Sequence, residues 1–124
     1  MSKTEYPRRG EAWYVDLPNE PTDPHQPRTA IIVSRNGRNE RSASVIAVPT
    51  TGTITGYDTR VFLPKGEGGL LKDSEVMCDR ICTLDKQFLS RRGPLGKPIA
   101  QEKLDQIVIS VRRAIGDRTA VGFF

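Results

Sequence analysis

Short runs rich in β-branched and aromatic residues alternate with turn residues over the first two thirds of the chain, the signature of strands rather than helices. Glu11–Leu17 (EAWYVDL) follows Gly10 and runs into a proline-rich stretch between Pro18 and Pro27. Thr29–Arg35 (TAIIVSR) has an uninterrupted apolar centre, which predicts a strand buried on both faces. Ser42–Thr51 (SASVIAVPTT) is a third run, expected to be halted by Pro49 and Gly52, and Arg60–Pro64 (RVFLP) is a short fourth. In Ser74–Leu84 (SEVMCDRICTL) the apolar positions follow Val76, Cys78 and then Ile81, so the register shifts around Asp79–Arg80 in the manner of a bulge. Cys78 and Cys82, four apart on such a strand, fall on one face as packing residues. The strongest breakers between the runs are NGRN at Asn36–Asn39 and GEGG at Gly66–Gly69.

The period changes after Pro98. Leu104, Ile107, Val108, Val111 and Ile115 recur at helical spacing, Glu102, Lys103, Arg112 and Arg113 take the other side, and Gly116 is a stop signal. This predicts one amphipathic helix covering the open end or edge of a sheet of about five strands. The expected fold is mainly β (α+β): a small, strongly bent antiparallel β-barrel with a C-terminal amphipathic helix. Residues 1–124 form one domain in this reading, with 1–7 and 117–124 flexible or peripheral. Trp13, at the centre of the first strand, is expected in the core rather than as a stacking surface.

Composition narrows the class. Hydrophobic residues make up 36% and charged residues 27%, which suits a soluble domain with a modest core. No apolar run approaches the roughly 20 residues that span a bilayer. The first residues, MSKTEYPRRGE, lack the apolar region of a secretory signal, and the two cysteines have no histidine cluster beside them. The expectation is a cytoplasmic protein with free thiols, no metal and no membrane association. The net charge of +4 and the pI near 9.3 are compatible with a polyanionic partner. Much of the excess lies late, in Lys86, Arg91, Arg92, Lys97, Arg112, Arg113 and Arg118. Phosphate-binding glycine loops, G-x-S-x-G and H-E-x-x-H are all missing, and one histidine excludes a two-histidine ribonuclease mechanism within a single chain.

Four stretches in order carry a more specific signal: RRGEAWYVDL (Arg8–Leu17), HQPRTAIIVSRN (His25–Asn36), VIAVPTTG (Val45–Gly52) and VMCDRICTLDKQFLSRRGPLG (Val76–Gly96). Each resembles a conserved stretch of the MazF/PemK/Kid family of toxin endoribonucleases, and the terminal helix falls where that family has one. The resemblance implies an SH3-like barrel of the CcdB/PemK type. It also implies metal-independent, sequence-specific cleavage of single-stranded RNA by the substrate's own 2′-hydroxyl, leaving 2′,3′-cyclic phosphate and 5′-hydroxyl ends, with no cofactor. Partners implied are single-stranded RNA, a second copy of the chain in a homodimer, and a cognate acidic antitoxin.

Such a reaction needs a base for the 2′-OH, positive charge on the developing phosphorane and a proton for the leaving 5′-oxygen. By resemblance Arg28 is the arginine before the second strand, and a guanidinium forks naturally onto phosphate oxygens. Thr51 aligns with the active-site threonine, with Thr50 one place earlier as the alternative. Asp79 matches the aspartate that the Kid branch uses as a base, although an ordinary aspartate near pKa 3.9 is a weak one. His25 matches that branch's loop histidine, a suitable proton shuttle. Ser34, Arg35 and Arg80 complete the implied substrate-binding set, with Ser34, at the family's strand-end serine, also read as a structural residue. The chain departs from the family pattern at Thr29, in place of a proline, at Met77 and Cys82, in place of arginines, and at Arg80, in place of a glutamine. These departures keep two alternatives open. One is a toxin of the same fold that inhibits a protein target such as DNA gyrase through its aromatic C-terminus, Phe123–Phe124. The other is an RNA-binding module without cleavage.

Overall fold

The structure, a computed structural model, describes residues 5–16 and 28–118. Six strands are present among them: β1 (Ala12–Val15), β2 (Arg28–Ile32), β3 (Ser44–Thr51), β4 (Arg60–Leu63), β5 (Ser74–Met77) and β6 (Cys82–Asp85). All pairings are antiparallel. β3 organises the sheet. One of its edges pairs with β2, through Ala30↔Pro49 to Ile32↔Ala47. The other edge is shared, β6 taking Ser44–Ala47 and β5 taking Thr50 and Thr51. β4 then pairs with β5.

That shared edge corrects two expectations. The run Ser74–Leu84 is two strands rather than one bulged strand, because a 3₁₀ turn over Cys78–Arg80 carries the chain from one half of β3 to the other. Cys78 and Cys82 therefore do not share a face: the first is buried and the second exposed. Pro49 does not halt β3. It sits between the segments claimed by β6 and β5, so its missing N–H interrupts neither ladder on that edge. NGRN, expected as a breaker, opens a short helix α1 (Asn36–Arg41). The fully buried Asn39 holds α1 in place by donating from Nδ2 to the Ser34 carbonyl (2.8 Å).

Two apolar clusters lie on the two sides of the sheet. Ala12, Ile31, Val48, Val61, Leu63, Val76 and Cys78 gather with Leu104 and Ile107 of α2 (Gln101–Ala114). Trp13, Val15, Ala30, Ile32, Val45, Ala47 and Leu89 form the other. Ala30 and Ile32 face one cluster while Ile31 faces the other, so β2 is buried on both faces as its uninterrupted apolar run predicts. Trp13 is core, its indole N–H donating to Glu11 (3.1 Å).

The helix packs on the sheet's face, and the free edge of β1 is covered differently. Backbone N–H groups of Asp16, Ser90, Leu95 and Ile99 bond to carbonyls of Phe88, Tyr14, Ala12 and Gly10, so the Phe88–Ile99 segment lines that edge and closes the bent sheet. The helix ends as expected, with Gly116 at φ +75°. Pro7, inside the segment expected to be peripheral, is fully buried.

Candidate functional site

The ends of β2, β3, β4 and β5 converge around an open cleft of about 900 Å³. Arg28 enters as the first residue of β2, set opposite Val15 in the β1 ladder. Thr50 and Thr51 enter as the last residues of β3, which crosses between β2 and β5 at this point. Arg60 opens β4, and Arg80 arrives from the 3₁₀ turn that follows β5. Lys72 joins from the loop before β5, its amine lying beside Gly52, where even a β-carbon would be too close.

Four cationic side chains, Arg28, Arg60, Lys72 and Arg80, thus line the cleft, together with a run of threonine hydroxyls. No carboxylate lines it among the described residues. Such a surface favours an anion with several oxygen atoms, because guanidinium forks and hydroxyls match phosphate geometry. The hydroxyls of Thr29 and Thr50 are hydrogen-bonded to each other. Thr51 Oγ1 accepts the N–H of Thr53 (3.1 Å), which leaves its O–H as a donor. The Arg60 Nε is buried with no acceptor among the described residues.

One carboxylate stands just behind the cleft. Glu75 is 2% exposed, and its oxygens accept from Thr55 N–H (2.9 Å), Thr55 Oγ1 (2.9 Å), Gly56 N–H (2.8 Å) and Arg60 Nη1 (3.3 Å). Burial pushes this carboxyl up, but the hydrogen bonds from Gly56, Thr55 and Arg60 outweigh it and hold it below the ordinary glutamate value.

Of the residues singled out from the sequence, Arg28, Thr50, Thr51 and Arg80 are brought together. Asp79 is exposed on the same turn as Arg80 but does not line the cleft. Ser34 and Arg35 are elsewhere. They follow Arg28 by six and seven residues of near-extended chain, on the order of 20 Å away. Ser34 is buried, accepting the Ile46 N–H (2.9 Å) and bonding to Asn39, so it ties α1 to β3. Arg35 is exposed at the start of α1. His25 and the Phe123–Phe124 terminus lie outside the described residues. Met77 lines the cleft, and the exposed Cys82 does not.

Arg60, Lys72, Tyr57 and Glu75 were not legible as site residues. Only Glu75 carried a signal, being a charged residue inside the strand-forming run SEVM. Among the described residues no group of histidine, cysteine and carboxylate side chains could hold a metal ion, and no helix is long and apolar enough to cross a membrane.

Comparisons with known proteins converge on one family. The chain is similar to the endoribonuclease MazF of Staphylococcus saprophyticus, with 32% identity over 88 residues that span 68% of this chain and 73% of the relative. Among solved structures it is similar to an endoribonuclease from a mycobacterial species, with a TM-score of 0.73, 28% identity, and coverage of 90% of this chain and 93% of that one. A mycobacterial endoribonuclease in complex with its cognate antitoxin gives a TM-score of 0.72 at 29% identity, covering 89% of this chain and 95% of the other. The family model described as PemK-like, MazF-like toxin of type II toxin–antitoxin system matches residues 8–115. With these motifs on this fold, the chain belongs to the PemK-like, MazF-like family of toxins of type II toxin–antitoxin systems.

Proposed function

We propose that this protein is the toxin of a type II toxin–antitoxin pair and cleaves single-stranded RNA in the cleft, without a metal. The observation that carries the reading is the meeting of Arg28, Thr51 and Arg80 with Arg60 and Lys72 in a cleft lined by no described carboxylate. The relatives named as endoribonucleases supply the reaction type.

In the reaction the 2′-oxygen bonds to phosphorus and the bond from phosphorus to the 5′-oxygen breaks. The 2′-OH proton passes to a base, and a second proton goes to the departing 5′-oxygen. Arg28 holds the non-bridging oxygens and offsets the charge that builds on the phosphorane. The Thr51 hydroxyl donates to the same group. Arg80 supplies charge two positions from Cys82, where the family pattern has an arginine. Asp79 and His25 are the residues assigned to proton transfer by resemblance, Asp79 standing one residue from Arg80. A single strand suits the site because it can rotate into the in-line geometry that a duplex forbids.

Working as a homodimer in the cytoplasm, the toxin would be held inactive by an acidic antitoxin segment laid over the same cations, a complementarity supported by the net charge of +4. The mycobacterial relative has been solved with its cognate antitoxin.

The test is to incubate the purified protein with a long single-stranded RNA in the presence of a chelator and map the ends. The expected products are discrete fragments with 2′,3′-cyclic phosphate and 5′-hydroxyl termini, and expression without antitoxin should arrest growth. A folded protein that leaves a panel of single-stranded RNAs intact overturns the reading.

A further inference from the structure

The loop between β3 and β4, residues 52–59, is exposed over nearly all its length, yet it is fastened from beneath by one buried side chain. Glu75 lies in β5, opposite Thr51 of β3 and opposite Phe62 of β4. From there its carboxylate accepts both loop amides, Thr55 and Gly56, and the Thr55 hydroxyl. Its fourth partner, Arg60, passes the constraint onward. The Arg60 guanidinium sits 5.4 Å from the centre of the Tyr57 ring, and the Arg60 N–H donates to the Tyr57 carbonyl (3.1 Å). The Tyr57 N–H in turn donates to Thr55 Oγ1 (3.3 Å). The ring so held is 61% exposed at the lip of the cleft.

This arrangement is unusual for a loop of small and polar residues. Three hydrogen bonds from the loop to one buried carboxylate order a segment that contributes little to either apolar cluster. An exposed aromatic ring backed by a cation presents a flat face that any unpaired base can stack on. Resting on the reading of the cleft as an RNA site, we propose that Glu75 is a positioning residue for substrate. By pinning the 52–59 loop it holds Tyr57 beside the phosphate-binding cations as a platform for an unpaired base.

Glu75→Gln keeps the shape but removes the charge: one oxygen can still meet the two loop amides as a weaker, neutral acceptor, and the N–H₂ then faces the Arg60 N–H on the other side. Glu75→Asp keeps the charge one methylene shorter and serves as the conservative rescue. Binding is read with an RNA whose 2′-hydroxyl at the cut position is replaced by hydrogen, so that affinity is measured whether or not the protein cleaves. The expected result for Glu75→Gln is faster hydrogen exchange at the Thr55 and Gly56 amides and roughly tenfold weaker RNA binding. Its single-turnover rate at saturating RNA should fall by less than its affinity does, since a base-stacking platform serves binding equally in ground and transition states. Tyr57→Ala should weaken binding by a similar factor without changing exchange at the two amides, and Glu75→Asp should recover part of the affinity.

Unchanged affinity in a folded Glu75→Gln protein overturns the proposal, as does unchanged affinity in Tyr57→Ala. A loss of saturating rate equal to the loss of affinity overturns it too. Should Glu75→Gln fail to fold, Thr55→Val decides in its place, because it removes one bond to Glu75 and the acceptor of the Tyr57 N–H at an exposed position. A wild-type protein that binds the RNA but cuts no RNA sinks the nuclease reading and leaves the loop measurement interpretable.

Discussion

The hydroxyls of Thr29 and Thr50 are hydrogen-bonded to each other across the end of the β2–β3 ladder, next to the cleft. This pairing separates two threonines that are adjacent in sequence. Thr50 is committed to holding β2 against β3, whereas the hydroxyl of Thr51 accepts from Thr53 and keeps its proton to donate. Thr51→Val should lower the single-turnover cleavage rate by about 10- to 100-fold with little change in melting temperature. Thr50→Val should cost about 1 kcal/mol of stability and affect cleavage less. Equal losses of rate in the two variants would reject Thr51 as the phosphate donor.

Arg28 is half-buried at the first position of β2, where strand pairing with Val15 fixes its backbone. Arg28→Ala is expected to reduce the cleavage rate by about 10²–10³-fold, the size found for removal of one preorganised donor to a developing oxyanion. Arg28→Lys should restore only part of that, because a point charge cannot fork onto two oxygens. Growth arrest on expression without antitoxin, which Arg28→Ala should relieve, gives the cellular measure.

Glu75 also makes stability depend on pH. Its carboxyl titrates below the ordinary value of 4.5 in the folded protein, so the folded state binds fewer protons there than the unfolded chain. The stabilisation is complete above that ordinary value and is lost as pH falls through the lower, folded one. Melting temperature should therefore fall more steeply for wild type than for Glu75→Gln as pH is lowered below 4.5. Parallel curves for the two proteins would show that Glu75 is not responsible.

The two cysteines should behave differently toward alkylation. Burial, with a smaller push from Asp79, outweighs the Ser110 hydrogen bond and the Arg60 charge and raises the Cys78 thiol to about 12. Cys82 is exposed, although desolvation raises its thiol as well. Iodoacetamide at pH 8 should label one thiol per native chain, at Cys82, and a second only on unfolding. Peptide mass mapping after timed labelling reads this directly.

The alternation of apolar runs and breakers was enough to place β1 to β4 and the closing helix, because each buries a face whose period is local to the segment. Burial of β2 on both sides was legible in the same way, since Ala30, Ile31 and Ile32 leave no polar face. Legibility failed wherever a partner elsewhere in the chain decided the outcome. Ser74–Leu84 reads as one strand, yet β3 offers two separate segments of a single edge, so the chain must turn at Cys78–Arg80 to reach both. Ser34 and Arg35 match a family motif, but a strand carries its two ends apart, and only Arg28 reaches the cleft.

The amino-acid sequence by itself determined a small basic β domain with one amphipathic helix, and its motifs determined the family and the arginine at the start of β2. Tertiary structure alone decided which cations meet around that arginine and which threonine keeps a hydroxyl to give. It also decided that a glutamate in a buried strand holds an exposed loop. Periodicity records what each segment buries, whereas a site is made by strand ends that meet only when the sheet bends, and nothing local encodes that meeting.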